Sequence, residues 1–159
     1  MNKKECKKNK VYASNKKALF DYEIVQKYNA GIVLKGYEVK SIKTGNISLK
    51  GSFVYIKDNE IFLTNALIPL YKFATNIKDY DPLRTRKLLM KKNEILQLLE
   101  KKKAEGLTIV PIMVYNSCNR IKVEIALARG KKKHDKRHAI AEKDSKRKMQ
   151  RVAKNFRIS

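Results

Sequence analysis

The long apolar runs stop at Gly130. Before it, Val, Ile, Leu and aromatic residues recur at spacings of two, or of three and four. After it comes Gly130-Lys131-Lys132-Lys133-His134-Asp135-Lys136-Arg137, and Lys and Arg take over. Only residues before this point can build a core. The chain therefore reads as one packed domain, residues 18–130, between a basic N-terminal arm, residues 1–17, and a basic tail, residues 131–159. At 159 residues it is long enough for one domain with a real core.

The charge narrows the class of partner. Lys and Arg number 38 against 15 Asp and Glu, a net +23. Residues 1–17 carry +6 and residues 129–159 carry +10, leaving +7 on the body. A solvated surface does not need such an excess, whereas a nucleic acid explains it, because each phosphate neutralised releases counterions. An anionic membrane surface is a weaker explanation. No run has transmembrane length and the N-terminus lacks a secretion signal, so a soluble cytoplasmic protein is expected. In that compartment Cys6 and Cys118 are expected to be two free thiols.

The body alternates between strand and helix signals. Phe20 to Leu34 reads as a long strand, with Gly31 as a bulge or bend. Gly36 to Gly45 fits a short helix stopped by Gly45. Phe53–Ile56 and Ile61–Ile68 read as a hairpin around Asp58-Asn59. In the second of these strands Ile61, Leu63 and Leu67 share one face. Residues 69–80 interleave Tyr71, Lys72, Phe73, Lys78 and Tyr80, which fits a lid over a barrel mouth better than a base-stacking surface. Asp81-Pro82 looks like a helix start, and the spacing of Leu88, Leu89, Ile95, Leu96 and Leu99 predicts a helix over 82–105 that stops at Gly106. Thr108–Tyr115 and Ile121–Leu127 form a last hairpin around residues 116–119. Hairpins dominate and βαβ repetition is absent. The expected fold is a small, mainly β antiparallel barrel with flanking α-helices.

Catalytic constellations are missing. His134 and His138 have the spacing of a helical metal pair, but five Lys or Arg lie from Lys131 to Arg137 and oppose a cation. Asp79 with Asp81, and Ser41 with Lys40 or Lys43, have no supporting context. No phosphate-cradling loop occurs. The sequence therefore predicts no catalytic residue, no metal and no cofactor. In the tail, Met149, Val152, Ala153 and Phe156 fall at i, i+3, i+4 and i+7. With so much like charge, that helix should form only against RNA and be disordered when free.

Several blocks together resemble the SsrA-binding protein (small protein B) family. They are Asn15-Lys16-Lys17-Ala18, Ala30-Gly31-Ile32, Glu38-Val39-Lys40-Ser41, Asn65-Ala66, Asp81-Pro82-Leu83-Arg84-Thr85-Arg86-Lys87-Leu88-Leu89, Gly106-Leu107-Thr108-Ile109-Val110-Pro111, and Gly130-Lys131-Lys132 with His134-Asp135-Lys136-Arg137. The resemblance implies an oligonucleotide-binding-type (OB-fold) barrel that is not an enzyme. It implies binding to the tRNA-like domain of transfer-messenger RNA (tmRNA), delivered with elongation factor Tu to stalled ribosomes for trans-translation. The tail then enters the empty mRNA channel at the 16S rRNA decoding centre. Carried over position by position, the RNA contacts fall on Asn29, where the family usually has Glu, and on Leu89, Lys122 and Gly130. Asn can hydrogen-bond there but carries no charge. The ribosomal contacts fall on Lys131, Lys132, His134, Asp135, Lys136, Arg137, Arg147, Val152 and Ala153. A structural ribosomal protein is the competing expectation, and an RNA-processing enzyme the third.

Overall fold

In the computed structural model, the strand-rich pattern folds as one antiparallel sheet. The structure describes residues 8–132, apart from Asn76 and Lys78, together with Ser145, Lys148 and Met149. In chain order the elements are β1 (Lys8–Ser14), α1 (Lys16–Asp21), β2 (Tyr22–Ile32), α2 (Gly36–Lys43), β3 (Phe53–Lys57), β4 (Glu60–Thr64), β5 (Arg86–Leu89), α3 (Lys92–Glu105), β6 (Thr108–Ser117) and β7 (Arg120–Gly130). The sheet order is β1-β6-β7-β2-β5-β4-β3. It curls until β3 lies against β6, which gives the expected mainly β, barrel-like body with flanking helices.

Two hairpins follow directly from turn chemistry. Asp58 and Asn59 join β3 to β4 at φ of 50° and 58°, and Cys118 and Asn119 join β6 to β7 at 49° and 58°. Asn and Asp tolerate this left-handed region, and such two-residue turns match the twist of the strands. Along β7 the alternation places Val123, Ile125 and Leu127 in the main core. Ala126 and Ala128 face a smaller cluster with Val110, Ile112 and Ala18 of α1. Asn15 ties that helix down. Its side chain accepts from the Ala18 amide at 3.0 Å and donates to the carbonyls of Leu49 and Pro111 at 3.2 and 3.1 Å.

Several expectations are overturned. The stretch read as an N-terminal arm contains β1, paired with β6, and residues 16 and 17 already belong to α1. Residues 1–7 lie outside those described. The long helix begins at Lys92, not at 82. The Asp81 carboxylate caps only a single turn, accepting from the Leu83 amide at 2.8 Å. The chain then enters β5, where Arg86 and Leu88 are buried while Lys87 and Leu89 face outward. Sheet pairing outweighs a local start signal there. Gly106 does stop α3, in the left-handed conformation, with its amide bonded to the Lys102 carbonyl.

In the strand read as ending at Ile68, Asn65 takes φ 58° and ends the alternation. Leu67 is consequently 40% exposed, while Ala66 and Ile68 are fully buried. The bulge in β2 lies between Ile24 and Gln26, not at Gly31. Gly31 is instead a crossing point, opposite Lys122 of β7 and Leu89 of β5. A Cβ there would lie 3.2 Å from the Leu89 Cβ, so glycine permits the close approach. Cys118 is disulfide-bonded, which overturns the free-thiol reading. Cys6 lies outside the described residues.

Candidate nucleic-acid interface

The register of three strands gathers residues that are distant in sequence. Asn29 lies opposite Glu124, and two residues on Gly31 lies opposite Lys122. Alternation puts Asn29 and Lys122 on the same side of the sheet. Because Gly31 also faces β5, Leu89 arrives beside them and is 54% exposed. Two adjoining grooves share Gly31, Leu89 and Lys122. One, about 420 Å³, extends to Asn29 and Glu94; the other, about 450 Å³, extends to Val39 and Arg120. An exposed leucine flanked by an amide and a lysine can meet a base or ribose face while the polar groups meet backbone oxygens.

Sequence reasoning missed what orients this site. Tyr115, on β6, reaches across β7 and its hydroxyl donates to the Asn29 Oδ1 at 2.8 Å. Glu124 sits between them, 3% exposed, with Lys27 Nζ at 3.2 Å. The tyrosine, itself only 3% exposed, had no signal beyond its register position opposite Lys122. Burial, with Glu94 nearby, pushes the Tyr28 phenol above its ordinary value.

A buried ionic network stands behind the loop between β4 and β5. Glu38 of α2 and Arg86 of β5 are both fully buried. The Arg86 guanidinium donates to Glu38 Oε1 at 3.0 Å and to the carbonyls of Ala66, Arg84 and Pro82 at 2.8, 3.0 and 3.0 Å. It also donates to the Tyr80 hydroxyl at 3.3 Å. Arg84 adds two hydrogen bonds to Glu38, one at 2.9 Å from Nε and a short one from Nη2. Burial by itself would raise the Glu38 pKa. The Arg84 hydrogen bond, the Lys35 amide and Arg86 outweigh it and hold the carboxyl below its ordinary value. One guanidinium thus ties both ends of the loop to a helix. Tyr80, read as part of a lid, is an anchor beneath it.

The remaining site expectations separate. Gly130 ends β7 opposite Tyr22, at the far end of that strand from Lys122. The stretch from Lys122 to Gly130 spans about 26 Å at roughly 3.3 Å per strand residue, so Gly130 does not join the groove. Lys131 continues past it, its amide bonded to the Asp21 carbonyl at 3.0 Å, and Lys132 is exposed. His134, Asp135, Lys136, Arg137, Arg147, Val152 and Ala153 lie outside the described residues, while Ser145, Lys148 and Met149 have helical backbone. Among the described residues no cluster of His, Cys, Asp and Glu could hold a metal, and no helix is long and apolar enough to cross a membrane.

Comparison with known proteins gives one consistent result. The family model described as SmpB protein matches residues 12–155. The SsrA-binding protein of Sulfurihydrogenibium sp. is 54% identical over 145 residues, covering 91% of this chain and 95% of that protein. The SsrA-binding protein of Mycoplasma mycoides is 50% identical over 138 residues, covering 87% and 93%. A solved structure described as "tmRNA-SmpB: a journey to the center of the bacterial ribosome" superposes with a TM-score of 0.63 at 42% identity. It covers 80% of this chain and 92% of that one.

Proposed function

Since this chain belongs to the SmpB protein family, we propose that it is a non-enzymatic RNA-binding adaptor of ribosome rescue. It binds the tRNA-like domain of tmRNA and brings it, with elongation factor Tu, to ribosomes stalled on incomplete messages in the cytoplasm. The observation that carries the reading is the convergence of Asn29, Leu89 and Lys122, from β2, β5 and β7, on one exposed face. Lys122 neutralises phosphate, Leu89 packs on a ribose or base, and the Asn29 amide hydrogen-bonds the backbone of a folded RNA.

The tail, residues 131–159, is assigned to the mRNA channel at the 16S rRNA decoding centre. Lys131, Lys132, Lys136 and Arg137 neutralise phosphate, and His134 stacks. Asp135 belongs to the same tail motif, while Arg147, Val152 and Ala153 belong to a helix formed against the ribosome. The two jobs separate at the end of β7, and that gives the test. Truncation after Lys132 keeps every residue of β7. It is expected to leave affinity for the tRNA-like fragment within about threefold at matched salt, because the contacts that remain set specific binding. Tagging of stalled chains should be lost. If the truncated protein loses RNA binding, or still supports tagging, the division is wrong.

A further inference from the structure

The loop from 69 to 80 carries a surface that the groove does not account for. Phe73 is 68% exposed, more than any other large apolar side chain in residues 8–132. Tyr71 lies edge-on to it, with centroids 5.5 Å apart. Lysines attend both rings: Lys72 Nζ is 4.6 Å from the Phe73 centroid, and Lys40 Nζ of α2 is 5.9 Å from that of Tyr71. Lys43 is exposed one turn further along the same helix. Of the acids nearby, Asp79 is exposed in the same loop, and the other two are already engaged. Glu38 is neutralised by Arg84 and Arg86, and the Asp81 carboxylate is turned to its own backbone.

Two physical points bear on what such a tip is for. An aromatic ring in water gains nothing from its exposure, yet this one is held out on a fixed mount. Arg86 binds the carbonyls of Ala66 and Pro82, on either side of the loop, and Tyr80 is bonded to Glu38 and to the Ile68 carbonyl. Aromatic faces with lysines beside them are the standard means of holding an unstacked base, with phosphates on the cations. Charge decides between RNA and an apolar protein partner, since the tip and the adjoining face of α2 are cationic on a chain of +23. Helix α2 also joins this tip to the groove, because Val39 lines the groove while its neighbour Lys40 faces Tyr71.

We propose that the Tyr71–Phe73 tip is a second RNA contact, which stacks one unpaired nucleobase on Phe73 and places Lys40 and Lys72 on its flanking phosphates. This goes beyond the groove reading and does not need the groove contacts. The chain has no tryptophan, so Phe73→Trp installs a unique one in the full-length protein, excited selectively beyond tyrosine absorption. Titration with a single-stranded 12-mer of uridylate should quench it, and an abasic 12-mer with the same phosphates should not. Phe53→Trp, on β3 and itself 46% exposed, should respond to neither. In otherwise wild-type protein, Tyr71→Ala with Phe73→Ala should remove on the order of a tenfold preference for the base-bearing strand.

Equal quenching by the abasic strand, an equal response at position 53, or a response to anionic phospholipid vesicles but not RNA would overturn the proposal. Leu89→Ala with Lys122→Ala tells the two readings apart. In that background the Phe73→Trp signal should persist while affinity for the tRNA-like fragment falls. Loss of the signal with the groove intact counts against the tip alone.

Discussion

Removing the guanidinium of Arg86 tests the claim that one buried cation organises the β4–β5 connection. Arg86→Met keeps the apolar stem on the buried phase of β5 and deletes five donated hydrogen bonds. It leaves Glu38 fully buried with Arg84 as its remaining cation, and it leaves the Ala66 and Pro82 carbonyls without this partner. Breaking a buried pair from one side costs about 3–5 kcal/mol, because a charge and several polar groups stay desolvated and under-satisfied. With a urea m-value of about 2 kcal/mol/M, the unfolding midpoint should fall by roughly 2 M.

Replacing both partners is the informative control. In Arg86→Met with Glu38→Leu no carboxylate is left buried, and Arg84, 26% exposed, can turn to water. The double variant should therefore lose less stability than the sum of its two singles, with a coupling of at least about 1 kcal/mol. Urea denaturation followed by far-UV circular dichroism measures all four corners of the cycle. An Arg86→Met midpoint within about 0.5 M of wild type, or strict additivity, would refute the reasoning.

Three further outcomes are expected. Glu38 has a depressed folded pKa, so its contribution is fully present above the ordinary carboxyl value and is lost as pH falls through the folded one. Melting temperature should drop as pH falls below the ordinary carboxyl range in the wild type and change less in Glu38→Gln, which already lacks that contribution; parallel profiles would exclude Glu38 as the titrating group. Asn15→Ala removes a helix cap and two buried donors, which should cost about 2–3 kcal/mol by denaturant melt, and a loss under 0.5 kcal/mol would mean α1 is held by other contacts. Gly31→Ala forces the Leu89 side chain aside and should weaken binding to the tRNA-like fragment several-fold, with stability changed by less than about 1.5 kcal/mol. Unchanged affinity would mean that the exact position of Leu89 is unimportant.

What the sequence revealed depended on whether the signal was local. Asp58-Asn59 and the Gly106 stop were readable because turn and cap chemistry needs only neighbouring residues. The β6–β7 hairpin was readable because Val123, Ile125 and Leu127 alternate cleanly. The start of α3 was not, because Asp81-Pro82 satisfies a single turn as well as a helix, and the choice was made by pairing with β4 and β2. Strand β1 was hidden by its lysines, which suit an edge strand as well as a free arm. Arg86 looked like one more surface cation in a basic run. Only its phase with Leu88 marks it as buried, and its partner lies 48 residues away. At the groove, Asn29, Leu89 and Lys122 came from family likeness. Tyr115 reaches Asn29 only through a fold in which β7 lies between them.

Because the groove and the root of the tail occupy opposite ends of one strand, β7 works as a gauge block between two grips. Its length cannot be tuned smoothly. Adding or deleting a single residue between Lys122 and Gly130 would swap Ile125 and Leu127 with Ala126 and Ala128, forcing large side chains into the smaller cluster and small ones into the main core. Only changes of two residues preserve the packing, so the separation is permitted in increments of roughly 7 Å. A molecule made this way has its reach fixed by its own interior, and whatever it bridges must come to that distance.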